Sequence, residues 1–252
     1  MRLQVLNYER LKAGDNGEIE KLGRASRSAG VFFLDLRGPS TEKVLADLQP
    51  IVHAQRRFFA QESKMKLGYA SNLENHGYDC SDETCVQRLK LSRSEQIRGT
   101  LDLPADLRTV EAKIENVASS VDTVLRDLST LLCESLDPPV LTSSFNNAEG
   151  PGLSNMCLGL ATTPAGTSLM DSHLDEDLLT ITFYDEPFLE VLEPLTGEWK
   201  VVEVLENMPI VNVGDSFQQL SNNRLHAPLH RVKQPDEEIN LIMYDLCQGG
   251  QN

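Results

Sequence analysis

The sequence predicts a mainly β protein with helices, built as one domain over residues 1–252: a largely helical part, 1–140, and a β-rich part, 141–252. Three observations carry this. A long apolar stripe at three- and four-residue spacing fills the end of the first part. Short β-type runs separated by turn residues fill the second, the pattern of an antiparallel sandwich or barrel. No low-complexity tract, internal repeat or flexible linker divides them, so the helices are expected to pack on the β-core.

Taken in order, Glu18 to Ser28 has helical composition, and the run from Gly30 to Leu36 reads as a buried strand. Ser40 or Thr41 is placed to cap a helix running towards Gln61, with Val44, Leu45, Leu48, Val52 and Phe59 on one side. Pro50 should kink that helix or mark an early boundary. The apolar stripe runs from Leu107 through Val110, Ile114, Val117, Val121, Val124 and Leu128 to Leu132, and reads as a packing face. Strands are expected at Leu178–Tyr184, Phe188–Leu192, Trp199–Val204, Pro209–Val213 and Ile239–Tyr244, with turns at Pro194–Gly197 and Gly214–Asp215.

Composition narrows the partners. Twenty-three Lys and Arg against 38 Asp and Glu give a net charge of −15, which disfavours nucleic acid and anionic membranes, both bound through clustered cations. No apolar run approaches the ~20 residues needed to cross a bilayer. Five cysteines at irregular spacing and no secretory pattern at the start predict a reduced, cytoplasmic protein. Cys80 and Cys85 lack the second pair that a zinc tetrahedron needs, and read as loop cysteines.

Chemistry concentrates at His173-Leu-Asp175. Along a strand, residues i and i+2 share a face, so both side chains can approach one ion. A histidine from a distant strand would complete a set of two imidazoles and one carboxylate, which leaves three positions of an octahedral Fe(II) open for a co-substrate and O₂. Of the other histidines, His226 reads as a surface residue rather than a pocket one, His53 lies in the early helix, and His76 is placed to edge a substrate entrance.

The run His173 to Thr180, the hairpin with Leu189–Leu192 and Thr196–Trp199, Val211–Asp215, Ser221–Arg224 and Leu229–Val232 follow in an order, with 55 residues from Asp175 to His230, that resembles the isopenicillin N synthase-like branch of the Fe(II)/2-oxoglutarate-dependent dioxygenases. Val5–Tyr8, Gly30–Phe33, Phe58–Lys66 and Gly77-Tyr78 extend the resemblance into the first half. It implies a distorted double-stranded β-helix, or jelly roll, with helices outside, an Fe(II) site of His173, Asp175 and His230, and oxidation of a small-molecule, specialised-metabolite substrate with O₂ and 2-oxoglutarate. Asn75, Tyr78, Phe183, Tyr184 and Gln218 are the substrate-contact candidates; Phe183 and Tyr184 are adjacent on a strand, so only one of them can face inward.

The sequence departs from this family at the co-substrate anchor. Such enzymes hold the distal carboxylate of 2-oxoglutarate with an Arg-x-Ser pair on the strand after the distal histidine, the arginine binding in bidentate fashion. Here that stretch, Pro235 to Tyr244, has no arginine. Glu237 or Glu238 falls near the arginine position, and Asn240 stands for the serine. The usual tyrosine on the strand before His173 is replaced by a run containing Thr162 and Thr163. Arg231, Asn240 and Thr162 are therefore the co-substrate candidates, with Arg224 and Lys233 as further cations. Three readings stay open: 2-oxoglutarate held by another cation, a 2-oxoglutarate-independent oxidase whose substrate binds iron directly, and a non-catalytic small-molecule binder.

Overall fold

The computed structural model describes residues 3–71, 76–80, 86–141, 153–162, 168–233 and 237–248. The helices are α1 (Tyr8–Lys12), α2 (Asn16–Ser28), α3 (Glu42–Phe59), α4 (Ser63–Leu67), α5 (Arg93–Arg98), α6 (Ala105–Arg108), α7 (Glu111–Ser135) and α8 (Asp215–Leu220). The strands are β1 (Val5–Asn7), β2 (Val31–Asp35), β3 (Gly77–Cys80), β4 (Val86–Ser92), β5 (Asn155–Ala161), β6 (Ser168–His173), β7 (Leu179–Tyr184), β8 (Leu189–Leu192), β9 (Trp199–Val201), β10 (Ile210–Val213), β11 (His230–Lys233) and β12 (Ile239–Leu246).

Two sheets face one another. The larger runs β1-β2-β10-β7-β12-β5-β4-β3 and the smaller β6-β11-β8-β9; the pairs are antiparallel except β1 with β2. This is the sheet-rich core with external helices expected of a double-stranded β-helix. Strand alternation sends one face of the large sheet to the helices and the other to the small sheet. On the helix side, Leu89 and Leu91 of β4, Leu158 of β5, Phe183 of β7 and Ile242 and Tyr244 of β12 share a core with Ile51 and Phe58 of α3 and Val121, Leu125 and Leu128 of α7. On the other side, Phe33, Ala161, Ile210, Ile239 and Leu241 pack against Leu169, Leu189 and Val191 of the small sheet.

Capping and packing explain the helices. Asp15 accepts from the Glu18 amide at 2.9 Å and starts α2. Thr41 takes the cap position of α3, but its hydroxyl donates to the Leu36 carbonyl at 2.6 Å instead of accepting from the helix. Pro50 neither ends nor shortens α3, which continues to Phe59. An interior proline costs about 3 kcal/mol. Beyond it, α3 buries Ile51, Ala54, Phe58 and Phe59, and each large side chain contributes ~1.5–3 kcal/mol, so burial outweighs the missing hydrogen bond. The long stripe is interrupted: Leu107 belongs to the short α6, and α7 begins only at Glu111.

Polar bonds then fix α7 on the sheet. The buried Tyr244 hydroxyl donates to Asp122 at 2.7 Å, and Asp122 also pairs with Arg126 at 2.7 Å. Tyr8 makes the equivalent bond to Asp127 at 2.7 Å. From α3, Gln55 donates to the Gly159 carbonyl of β5 at 3.1 Å. Tyr244→Phe keeps the ring and loses the charged hydrogen bond, so urea unfolding should show a loss of about 1–3 kcal/mol; an unchanged midpoint would remove this bond from the account of how α7 docks.

Candidate metal centre

The antiparallel pairing of β6 and β11 sets His230 directly opposite His173, and the two rings lie 4.3 Å apart, tilted by 58°. Asp175 follows two residues after the end of β6. Its Oδ1 is 3.5 Å from His173 Nε2 and 3.4 Å from His230 Nε2, and the three form a compact group of potential ligands. Metal–ligand bonds of about 2.1 Å put adjacent octahedral ligands ~3 Å apart, so the two distances from Asp175 need to close by only about half an ångström around an ion. The donor set and spacing fit Fe(II).

Each ligand atom is oriented by a second contact. Nδ1 of His173 lies 2.7 Å from the Asp171 carbonyl and Nδ1 of His230 lies 3.0 Å from the Pro228 carbonyl. A carbonyl only accepts, so each Nδ1 carries the hydrogen and Nε2 is left to face the ion. Asn212 of β10 donates to the other Asp175 oxygen, Oδ2, at 2.6 Å, which reserves Oδ1 for the centre. The Asp175 backbone is held too: its carbonyl accepts from the Asp215 amide at 2.7 Å, and the Leu178 carbonyl from the Gly214 amide at 2.9 Å. A Cβ on Gly214 would sit 1.9 Å from the Asp177 carbonyl oxygen, so only glycine permits this approach of α8 to the ligand loop.

Burial disfavours the charged form of Asp175, but hydrogen bonds from His173, His230 and Asn212 outweigh it and hold the carboxyl well below the usual range. The hydrogen bond to Asp175 in turn raises the His173 imidazole above its ordinary value.

The centre opens on a cavity of about 750 Å³ between the sheets. Apolar side chains line it, including Leu169, Met170, Phe188, Ile210, Leu241 and Met243. At one end lie Asp177, Asp245 and Cys247, with the Cys247 thiol 2.9 Å from Asp177. Burial, reinforced by Asp177 and Asp175, raises the Asp245 carboxyl well above its ordinary value. Arg88 and Lys90 of β4 are the cations among the described residues that line this space.

The co-substrate and substrate candidates fall elsewhere. Asn240 is buried on the opposite face of β12, between Arg56 (2.9 Å) and Asp185 (3.1 Å). Glu237 and Glu238 are exposed. The inward residues of β12 are Leu241, Met243 and Asp245, so two apolar side chains hold the i and i+2 positions beside the cavity. Arg231 turns outward, bonded to Glu190 at 2.6 Å and stacked 4.3 Å over Trp199; Lys233 reaches the same Glu190. Arg224 bonds the Ser221 carbonyl, and Thr162 is exposed at the end of β5.

Of the substrate candidates, Tyr78 packs edge-on against Phe58 and bonds Gln87 at 3.0 Å. Phe183 enters the helix-side core. Tyr184 takes the other face, against Phe188, with its hydroxyl on the Glu203 carbonyl at 3.0 Å. Gln218 accepts from the Ala227 amide at 2.7 Å. None of these four lines the cavity, because each is already engaged within the fold. Asn75, Thr163 and Cys85 lie outside the described residues. His226 is half-buried, with its amide on the Ser26 carbonyl; His53 is exposed and His76 pairs with Glu95 at 2.5 Å.

Two results test this geometry. Asn212→Leu should weaken Fe(II) binding about 10- to 100-fold with little change in melting temperature; a change under about twofold in anaerobic metal titration would remove Asn212 as an orienting group. Metal uptake must also displace a proton from His173, whose pKa is raised, so Fe(II) affinity should fall as pH drops through that value and level off above it. Affinity flat across the neutral range would contradict this.

Comparison with known proteins agrees with the geometry. Residues 155–247 match the family model of the 2OG-Fe(II) oxygenase superfamily. A 2-oxoglutarate-dependent dioxygenase of Gibberella zeae is 26% identical over 244 residues, covering 91% of this chain and 73% of that protein. Another, frbH of Dothideomycetidae sp., is 27% identical over 253 residues, covering 93% and 77%. Among solved structures, a 2-oxoglutarate complex of dioxygenase for auxin oxidation 1 from Arabidopsis thaliana superposes with a TM-score of 0.82 at 23% identity, covering 100% of this chain and 94% of the other, and so shares the fold. Among the described residues no helix is long and apolar enough to cross a membrane. The matched span, residues 155–247, carries all three candidate ligands and is similar to the 2OG-Fe(II) oxygenase superfamily.

Proposed function

We propose that this chain is an Fe(II)- and 2-oxoglutarate-dependent oxygenase of the isopenicillin N synthase-like branch, which hydroxylates, desaturates or cyclises a small molecule of the specialised-metabolite kind. The observation that carries the proposal is the convergence of His173, Asp175 and His230 at the wall of a largely apolar cavity. His173, Asp175 and His230 would hold Fe(II), which would let O₂ act as the oxidant of an unactivated C–H bond, with 2-oxoglutarate giving up two electrons as it is converted to succinate and CO₂.

The protein's own part is positional. His173, Asp175 and His230 would hold the ion from the cavity wall that they share. Leu169, Phe188, Ile210 and Met243 exclude water from the reacting region and favour the apolar body of a substrate. Asp245, whose carboxyl burial raises well above its ordinary value, adds a polar group at the acidic end, suited to a substrate oxygen or nitrogen.

A second reading rests on Leu241 and Met243. With apolar side chains where a carboxylate anchor is expected, the substrate itself would bind iron and supply the electrons. Anaerobic titration of the Fe(II)-loaded protein with 2-oxoglutarate separates the two. The first reading predicts a weak visible charge-transfer band and, on admitting air, succinate release. Iron uptake with no band, together with substrate-dependent O₂ consumption, would overturn it in favour of the second.

A further inference from the structure

We propose that Arg88, on β4, takes the distal carboxylate of 2-oxoglutarate, replacing from two strands away the missing cation of β12. This inference rests on the co-substrate reading above.

Strand register places the residue. Arg88 pairs with Gly159 of β5, and Gly159 pairs with Leu241 of β12, so the three stand in one row across the sheet. Leu241 is the first residue of β12 to line the cavity, and Arg88 lines it too, with His173 and His230. Two strand spacings separate Arg88 from Leu241, about 10 Å between backbones. Over that span the inward residues of β5 are small: Cys157, Gly159 and Ala161. Gly159 matters most, because a Cβ there would already lie 3.3 Å from the Leu241 side chain. Leu241 therefore packs over the glycine backbone, and in this row no β5 side chain stands between it and Arg88.

The charge pattern selects Arg88 over its neighbour. Lys90 stands one inward row further along, beside Cys157 and Met243, next to the row of Asp245, from which Arg88 is a further row away. Its charge therefore serves the acidic end of the cavity. Arg88 is oriented by Asp79 on β3, whose carboxylate accepts from Nε at 2.9 Å, which fixes the plane of the guanidinium. Arginine carries five donors in a planar fork, so one carboxylate at Nε is compatible with a second at the terminal nitrogens. The fork matches a carboxylate in bidentate geometry, which a lysine cannot do. Leu241 and Met243 then form an apolar wall beside the methylene chain of the 2-oxo acid.

The test compares two acids: 2-oxoglutarate and 2-oxopentanoate, which has the same chain length but no distal carboxylate. Both are titrated anaerobically into Fe(II)-loaded protein, by charge-transfer absorbance and calorimetry. Wild type should prefer 2-oxoglutarate. Arg88→Ala should weaken 2-oxoglutarate about 10- to 100-fold and leave 2-oxopentanoate within about twofold, which also shows that the variant is folded. Gly159→Val, which adds no charge but puts a side chain between Arg88 and Leu241, should show the same selective loss, and Arg88→Lys should recover part of it. Equal affinity of Arg88→Ala and wild type for 2-oxoglutarate overturns the inference alone, as does parallel weakening of both acids. A wild type that binds iron but neither acid overturns the co-substrate reading and the inference together.

Discussion

One strand register organises the centre. Pairing His230 of β11 with His173 of β6 brings together two imidazoles that lie 57 positions apart in the chain, and a slip of one residue would turn one of them to the opposite face. That register is protected on both sides. The next residue, Arg231, is tied outward to Glu190 and Trp199, while His230 itself is fixed through the Pro228 carbonyl. The outward contacts of β11 thus hold the inward ones in place.

Asp175 depends on a different constraint, the close approach of α8 to the loop after β6. Gly214 and Asp215 bind backbone carbonyls on either side of Asp177, and Asn212, just before them on β10, holds the carboxylate. One short stretch, 212–215, therefore sets both the backbone and the side chain of the third candidate ligand. The large sheet supplies this stretch and the small sheet supplies the imidazoles, so the centre exists only while the two sheets face each other. Their separation creates the cavity, and the helices stiffen the large sheet from behind through Tyr244, Gln55 and the stripe of α7.

Much of this was legible in the sequence. The period of α7, the β runs of the second half and the triplet His173-Leu-Asp175 follow directly from side-chain spacing. The absence of arginine near β12 was also visible, and the inward Leu241 and Met243 explain what fills those positions. What escaped was decided by facing. In β4 the apolar Leu89 and Leu91 point to the helices, whereas Arg88 and Lys90 point into the cavity. Such alternation is indistinguishable, as sequence, from that of a strand with one solvated face, so its cations gave no signal of a site. Asn240 shows the converse: the register of β12 turns it to α3 and Asp185. Tyr78, Tyr184 and Gln218 were attractive as polar or aromatic residues near the site, yet each is bonded within the fold. Asn212 carried no motif, and only the pairing of β10 with β7 brings it to Asp175.

The most direct test of the centre is the position of the metal itself. A crystal of the anaerobically Fe(II)-loaded protein, measured at the iron absorption edge, should show one anomalous peak within bonding distance of His173 Nε2, His230 Nε2 and Asp175 Oδ1, with its open side towards the cavity. A peak elsewhere on the cavity wall, such as beside Asp177, Asp245 and Cys247, would contradict the assignment of the three residues on which the proposed chemistry stands.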